Sequence, residues 1–144
     1  MKNIITIIIL VSLSSILWTG CHEKTIGYLI TENASYEPDS LIIPRIPDPE
    51  EEAERIKWKS PWITFNLQGY EGTFQIDFSI ESVTSTAGEE QAKLFMEELS
   101  IRGGGAMLYP FEHKAGSGEY VVSIRLTNPG YSHVIKDAYK FIIE

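Results

Sequence analysis

Phe74-Gln75-Ile76-Asp77-Phe78-Ser79-Ile80-Glu81 is the stretch from which the rest of the chain is read. Apolar and polar side chains alternate strictly through it. Successive residues of a strand point to opposite faces, so Phe74, Ile76, Phe78 and Ile80 share one face of a half-buried antiparallel strand. A helix would scatter these four around its circumference. The same period returns in Tyr120, Val122, Ile124 and Leu126, set against Val121, Ser123, Arg125 and Thr127. These eight apolar residues are the expected shared core of two packed sheets.

Working outward, shorter strands are expected at Gly27–Thr31, Leu41–Ile43, Trp62–Leu67, Met107–Phe111 and Ala138–Ile143. In Trp62–Leu67 the alternation puts Ile63, Phe65 and Leu67 on one face. Turn chemistry separates the strands: Gln68-Gly69-Tyr70-Glu71-Gly72, His113–Gly118 and Asn128-Pro129-Gly130. Pro44, Pro47 and Pro49 exclude helix and central strand around them. The acidic run Pro49–Glu54 is compatible with a short helix or with a solvated loop. One helix is expected, opened by a capping box at Thr86 and Glu89 and carrying Ala92, Phe95, Met96 and Leu99 on one face. The expected fold is therefore mostly β: a sandwich of about seven or eight strands with one short helix.

Composition bounds the function. The 144 residues carry 12 Lys and Arg against 20 Asp and Glu, a formal net charge of −8. A nucleic-acid partner is not expected, because there is no basic patch to release counterions. One cysteine excludes an intrachain disulfide and a cysteine-based zinc site. No cofactor or metal motif is present. The glycine triplet Gly103–Gly105 runs into Ala106-Met107-Leu108-Tyr109, which is strand-like, so it reads as a bulge or loop and not as a phosphate cradle. His22, His113 and His133 have no metal-ligand or triad spacing. Asp77 and Glu81, four apart on a strand, would sit about 13 Å from each other, too far for a glycosidase pair. No enzyme activity is expected.

The first 20 residues have Lys2 followed by a nearly continuous apolar stretch from Ile4 to Trp18, which reads as a signal peptide. Thr19 and Gly20 then precede Cys21. This resembles a bacterial lipobox, whose cysteine is acylated and becomes the new N-terminus, with Trp18 bulkier than that pattern usually has. Loss of the leader takes the charge from −8 to −9, because Lys2 is its only charged side chain. The expected organisation is a leader at 1–20, a tether at 21–26 and one domain at 27–144. The segment Gly118–Asn128, with its Gly-x-Tyr start and Thr-Asn end, resembles the penultimate strand of bacterial immunoglobulin-like domains. Cys21 together with Gly27–Asp39 resembles the mature N-terminus of small Bacteroidota surface lipoproteins.

That resemblance implies a lipid anchor at Cys21, and outer-membrane attachment is expected because His22 and Glu23 follow the cysteine in place of the aspartate that favours inner-membrane retention. It names no activity; related architectures serve either in glycan uptake or in adhesive and fimbrial assembly. Two readings stay open, a binding module for glycans or a structural part that binds another envelope protein, with a hydrolase as a remote third. Trp58, Tyr70 and Tyr131 are the candidate ligand-binding residues, because each stands beside turn or charged residues where aromatic platforms form. The sequence does not define the oligomeric state.

Overall fold

A computed structural model describes residues 1–7 and 26–144. Residues 2–7 are helical. Most of the leader's apolar stretch, Cys21 and His22 lie outside the described residues, and so does most of the expected tether. Among the described residues no helix is long and apolar enough to cross a membrane.

From residue 26 onward the chain is mostly β. Nine strands run in order: β1 (Leu29–Ile30), β2 (Ser40–Ile43), β3 (Trp62–Ile63), β4 (Glu71–Gly72), β5 (Asp77–Ser85), β6 (Ser100–Ile101), β7 (Met107–Tyr109), β8 (Gly118–Asn128) and β9 (Tyr131–Ile143). Helix α1 (Ala53–Trp58) lies between β2 and β3, and α2 (Glu89–Glu98) between β5 and β6. One sheet has the order β2-β9-β8-β5, a second β3-β7-β6, and β1 pairs with β4. All pairings are antiparallel except β2 with β9, which is parallel.

Strand β8 is the spine. Tyr120, Val122, Ile124 and Leu126 are fully buried, on the face expected from their alternation. Both neighbours of β8 carry extra residues opposite Ser123. In β5, Ile80 faces Ile124 and Ser82 faces Ser123, so Glu81 is a bulge residue. In β9, Tyr139 faces Val122 and Ile135 faces Ile124. The intervening bulge turns at Asp137, whose φ is 49°, and the Asp137 N–H donates to Ser123 Oγ at 3.0 Å. Bulges bend a strand and increase its twist. Here they do so without turning the apolar set of either strand outward.

The inner face of this sheet packs against α2 and β7. Phe95, fully buried, stacks between Tyr109 at 4.2 Å and Tyr120 at 4.4 Å between ring centroids. The hydroxyls are satisfied: Tyr109 donates to Glu98 at 2.9 Å, Tyr120 to the Gly116 carbonyl at 2.7 Å and Tyr36 to the Gly105 carbonyl at 2.5 Å. Gly105 is required there. Its φ is +82°, and a Cβ would lie 2.9 Å from Leu67 Cβ. The glycine triplet is thus a tight 3-10 turn wedged against the core.

The structure corrects several expectations. The strand expected from Phe74 begins only at Asp77, and Phe74 is 87% exposed. The chain there is held by pairing with β1, outside the large sheet. Ile76, Phe78 and Ile80 are half-buried because β5 is an edge strand with a neighbour on one side only. At β3 the expected face is inverted only over its first residues: Trp62 and Thr64 are buried while Ile63 and Phe65 are exposed, and Leu67, expected to share their face, is buried beyond the end of the two-residue strand. The indole is the larger apolar group, and the Thr64 hydroxyl is satisfied by the Met107 N–H at 2.9 Å. The capping box does not form. Gly88 caps α2, and Thr86 Oγ instead accepts from the Glu119 N–H at 3.0 Å. Met96 stays partly exposed. The acidic run leads into a helix of its own, so that residues 26–144 hold two α-helices where one was expected, and the strand count is nine, with five strands of three residues or fewer.

Substitution follows burial. Phe95→Ala is expected to cost about 3–5 kcal/mol in a denaturant titration, and Phe74→Ala less than about 0.5 kcal/mol. Alkaline pH tests the buried tyrosines. Burial, and then the nearby Asp39 charge, push Tyr139 up to about 12; burial also raises Tyr36, Tyr109 and Tyr120. A tyrosine that ionises near 10 when unfolded favours the folded state fully below that pH, and the contribution falls as pH rises toward the folded value. Tyrosinate absorbance should therefore grow together with loss of near-UV circular dichroism between about pH 10 and 12. Smooth titration of every tyrosine near 10 with tertiary structure intact would contradict this packing.

Candidate functional site

The candidate site grows from helix α1. Asp48 Oδ1 accepts from the Glu50 N–H at 2.8 Å and the Asp48 carbonyl from the Glu52 N–H at 2.8 Å, which winds the chain into the helix. Arg55 fastens the helix to the body. Its guanidinium lies 4.0 Å from the centre of the buried Trp62 ring, pairs with Glu52 at 2.7 Å and donates to the Pro61 carbonyl at 2.8 Å. Lys59, at φ 49°, ends the helix in the left-handed region and reaches Glu112, beyond β7.

Trp58 is the last residue of α1 and is 67% exposed. Its Nε1–H donates to Glu54 Oε2 at 2.8 Å, one helical turn back, which orients the indole along its own helix. Lys57 Nζ lies 5.0 Å from the ring centre. Beside the ring is a shallow depression of about 390 Å³ lined by Glu50, Glu51, Glu54, Arg55 and Ser60, among others. The arrangement is an aromatic surface with carboxylates, a hydroxyl and cations around it. Such a surface can stack on an apolar ring face while its rim exchanges hydrogen bonds with hydroxyls.

The other two candidates are placed differently. Tyr70 is half-buried, its ring edge-on to Phe78 at 5.3 Å. Tyr131 is half-buried and begins β9, opposite Asn128. Phe78 is opposite Leu126, so both tyrosines belong to the Leu126–Asn128 end of β8. Trp58 belongs to the Tyr120 end, because the neighbouring Trp62 pairs with Tyr109, which reaches Tyr120 through Phe95. The fold does not bring the three rings together. Glu54 was not among the sequence candidates; its spacing of four from Trp58 is the signal that would have found it once a helix was assumed.

A larger groove of about 960 Å³ lies on the outer face of the four-stranded sheet. Ser40, Lys140, Val121 and Thr84 form a cross-strand row along it. Its Lys140 is paired with Glu119 at 3.2 Å, and Tyr36, the aromatic residue along it, is buried. It therefore presents no aromatic surface to a ligand.

Glu81, Arg125, His113 and His133 each have a local partner. Glu81 accepts twice from Arg125, at 2.8 Å each; that hydrogen bonding holds the carboxyl below its usual range. His113 Nδ1 is 3.1 Å from the Ala115 carbonyl, and His133 Nδ1 3.2 Å from Thr31 Oγ. Among the described residues no three His, Cys, Asp or Glu converge as a metal site. No protein-family model matches the chain, and no curated protein or solved structure matches it.

The two tryptophans of the domain should separate in fluorescence. Relative to the parent Glu23–Glu144 fragment, which lacks Trp18, Trp58→Phe is expected to blue-shift the emission and remove the acrylamide-accessible component. Stability should change by less than about 0.5 kcal/mol, because the ring is exposed.

Proposed function

We propose that this chain is an envelope lipoprotein, anchored at the outer membrane through acylated Cys21, whose domain is an immunoglobulin-like β-sandwich acting as a non-catalytic glycan-binding module. The fold reading rests on strand order. With β3, β5, β6, β7, β8 and β9 taken as strands B to G, the orders β3-β7-β6 and β5-β8-β9 match the B-E-D and C-F-G sheets of immunoglobulin domains. Tyr120 near the start of β8, with its hydroxyl bonded to the Gly116 carbonyl four residues upstream, has the form of a tyrosine corner. Val122 then stands two residues on, where antibody domains carry the second cysteine.

The observation that carries the ligand reading is Trp58: a large ring, 67% exposed, oriented by Glu54 and rimmed by donors and acceptors. A sandwich hosts unrelated functions, so the site and not the fold supports the reading. The acidic rim and the net charge of −9 after loss of Lys2 with the leader favour neutral chains over polyanionic ones. A purely architectural role would favour burying this ring in a contact with another envelope protein.

The test is a glycan array probed with the soluble Glu23–Glu144 fragment. Neutral oligosaccharide binding is expected, weakened by about tenfold or more in Trp58→Ala, equivalent to about 1.4 kcal/mol. The fragment's circular dichroism should be unchanged. Absence of binding to every glycan, with one envelope protein recovered stoichiometrically by crosslinking, would replace this reading with the assembly role.

A further inference from the structure

The described domain has an apolar end. In β1, Leu29 points inward at 5% exposure, and the outward alternates Tyr28 and Ile30 are 50% and 43% exposed. Ile26, just before them, is 95% exposed, and Phe74, just after β4, is 87% exposed. The strands bring these groups together. The Thr73 N–H donates to the Tyr28 carbonyl at 2.9 Å, and the Tyr28 N–H to Thr73 Oγ at 3.1 Å. Asn128, 5% exposed at the end of β8, donates through Nδ2 to the carbonyls of Tyr28 at 2.8 Å and Thr73 at 3.1 Å. The apolar side chains therefore stand on backbone that is fastened to the spine strand.

We propose that this end of the domain rests on the lipid surface, with Ile26, Tyr28, Ile30 and Phe74 entering the bilayer interface. The proposal rests on the reading of Cys21 as an acylated anchor. The occupant follows from reach. Five peptide steps separate Cys21 from Ile26, so whatever path they take the two Cα atoms are at most roughly 18 Å apart. An anchor at Cys21 thus holds the apolar end at the membrane. The side chains suit that place, because aromatic and aliphatic groups bind an interface in proportion to the apolar area buried. Glu71, directly opposite Ile30 on the same outward face, and Glu32 beside it are exposed, which favours zwitterionic over anionic headgroups. Tyr120 and Asn128 lie eight residues apart on β8, about 26 Å. Trp58, near the Tyr120 end, would then point away from the bilayer.

The experiment uses the full acylated chain in phosphatidylcholine vesicles. Gln75→Cys, beside Phe74 and exposed, carries an environment-sensitive dye; the thioether at Cys21 does not react with it. Glu90→Cys on α2 is the control, because α2 adjoins the Tyr120 end through the bond from Gly116 N–H to Gln91. Iodide quenching at position 75 is expected to be about threefold lower than at position 90, with quenching by lipid-borne spin label in the opposite order. Adding Phe74→Asp should restore iodide access while the protein still floats with the vesicles. Flotation with equal iodide access at both positions would overturn the proposal and leave the anchor standing. A chain that stays in the aqueous fraction with unmodified Cys21 would remove the anchor and, with it, the proposal.

Discussion

Phe95 between Tyr109 and Tyr120 is the contact on which the other layers depend. It joins three elements that local sequence does not connect: helix α2, strand β7 and the spine strand β8. Phe141 of β9 closes on the same ring at 5.2 Å, so the C-terminal strand shares the cluster. Each tyrosine brings a hydroxyl that must keep a partner when buried. Glu98 and the Gly116 carbonyl supply them, and in doing so fix the end of α2 and the entry into β8. The mixture of ring stacking and satisfied hydroxyls specifies one arrangement of the layers more tightly than aliphatic packing alone would.

Much of this was legible in the sequence. The alternation of Tyr120, Val122, Ile124 and Leu126 predicted their face because β8 has a strand on either side, so tertiary packing reinforced the local period. The same alternation misled at Phe74 and at Ile63–Phe65, where the segment was an edge or a two-residue strand. Period alone says which residues share a face and does not say which face is inward. Thr86 and Glu89 form a capping pattern in sequence, yet β8 supplies a competing N–H from Glu119, and the hydroxyl takes it. At the site, Trp58 was visible as an aromatic between two lysines. Its orientation was not, because that needs Glu54 one turn away on a helix whose existence the acidic run left open.

The bulges beside Ser123 have a further role in the architecture. A long hairpin of β8 and β9 would twist progressively if it were regular. Extra residues on both flanks concentrate the bend at one place, and the Asp137 N–H to Ser123 Oγ bond keeps the gap closed. The result is an outer sheet face hollowed around Lys136 and Asp137, and an inner face whose apolar rows stay in step on both sides of the bend.

The parallel pairing of β2 with β9 has a consequence for the order in which the domain can be assembled. Ser40–Ile43 finds its partner only in Lys140–Ile143, about a hundred residues later in the chain. β8 likewise lacks one of its two neighbours until β9 is present. The four-stranded sheet, and with it the aromatic cluster that Phe141 closes, is therefore incomplete until β9 is present, whereas β3-β7-β6 and β1-β4 need no part of it. Contacts of such wide separation fold slowly, since the intervening chain must be ordered before they form. A chain built this way commits to its structure only when its C-terminal strand is in place.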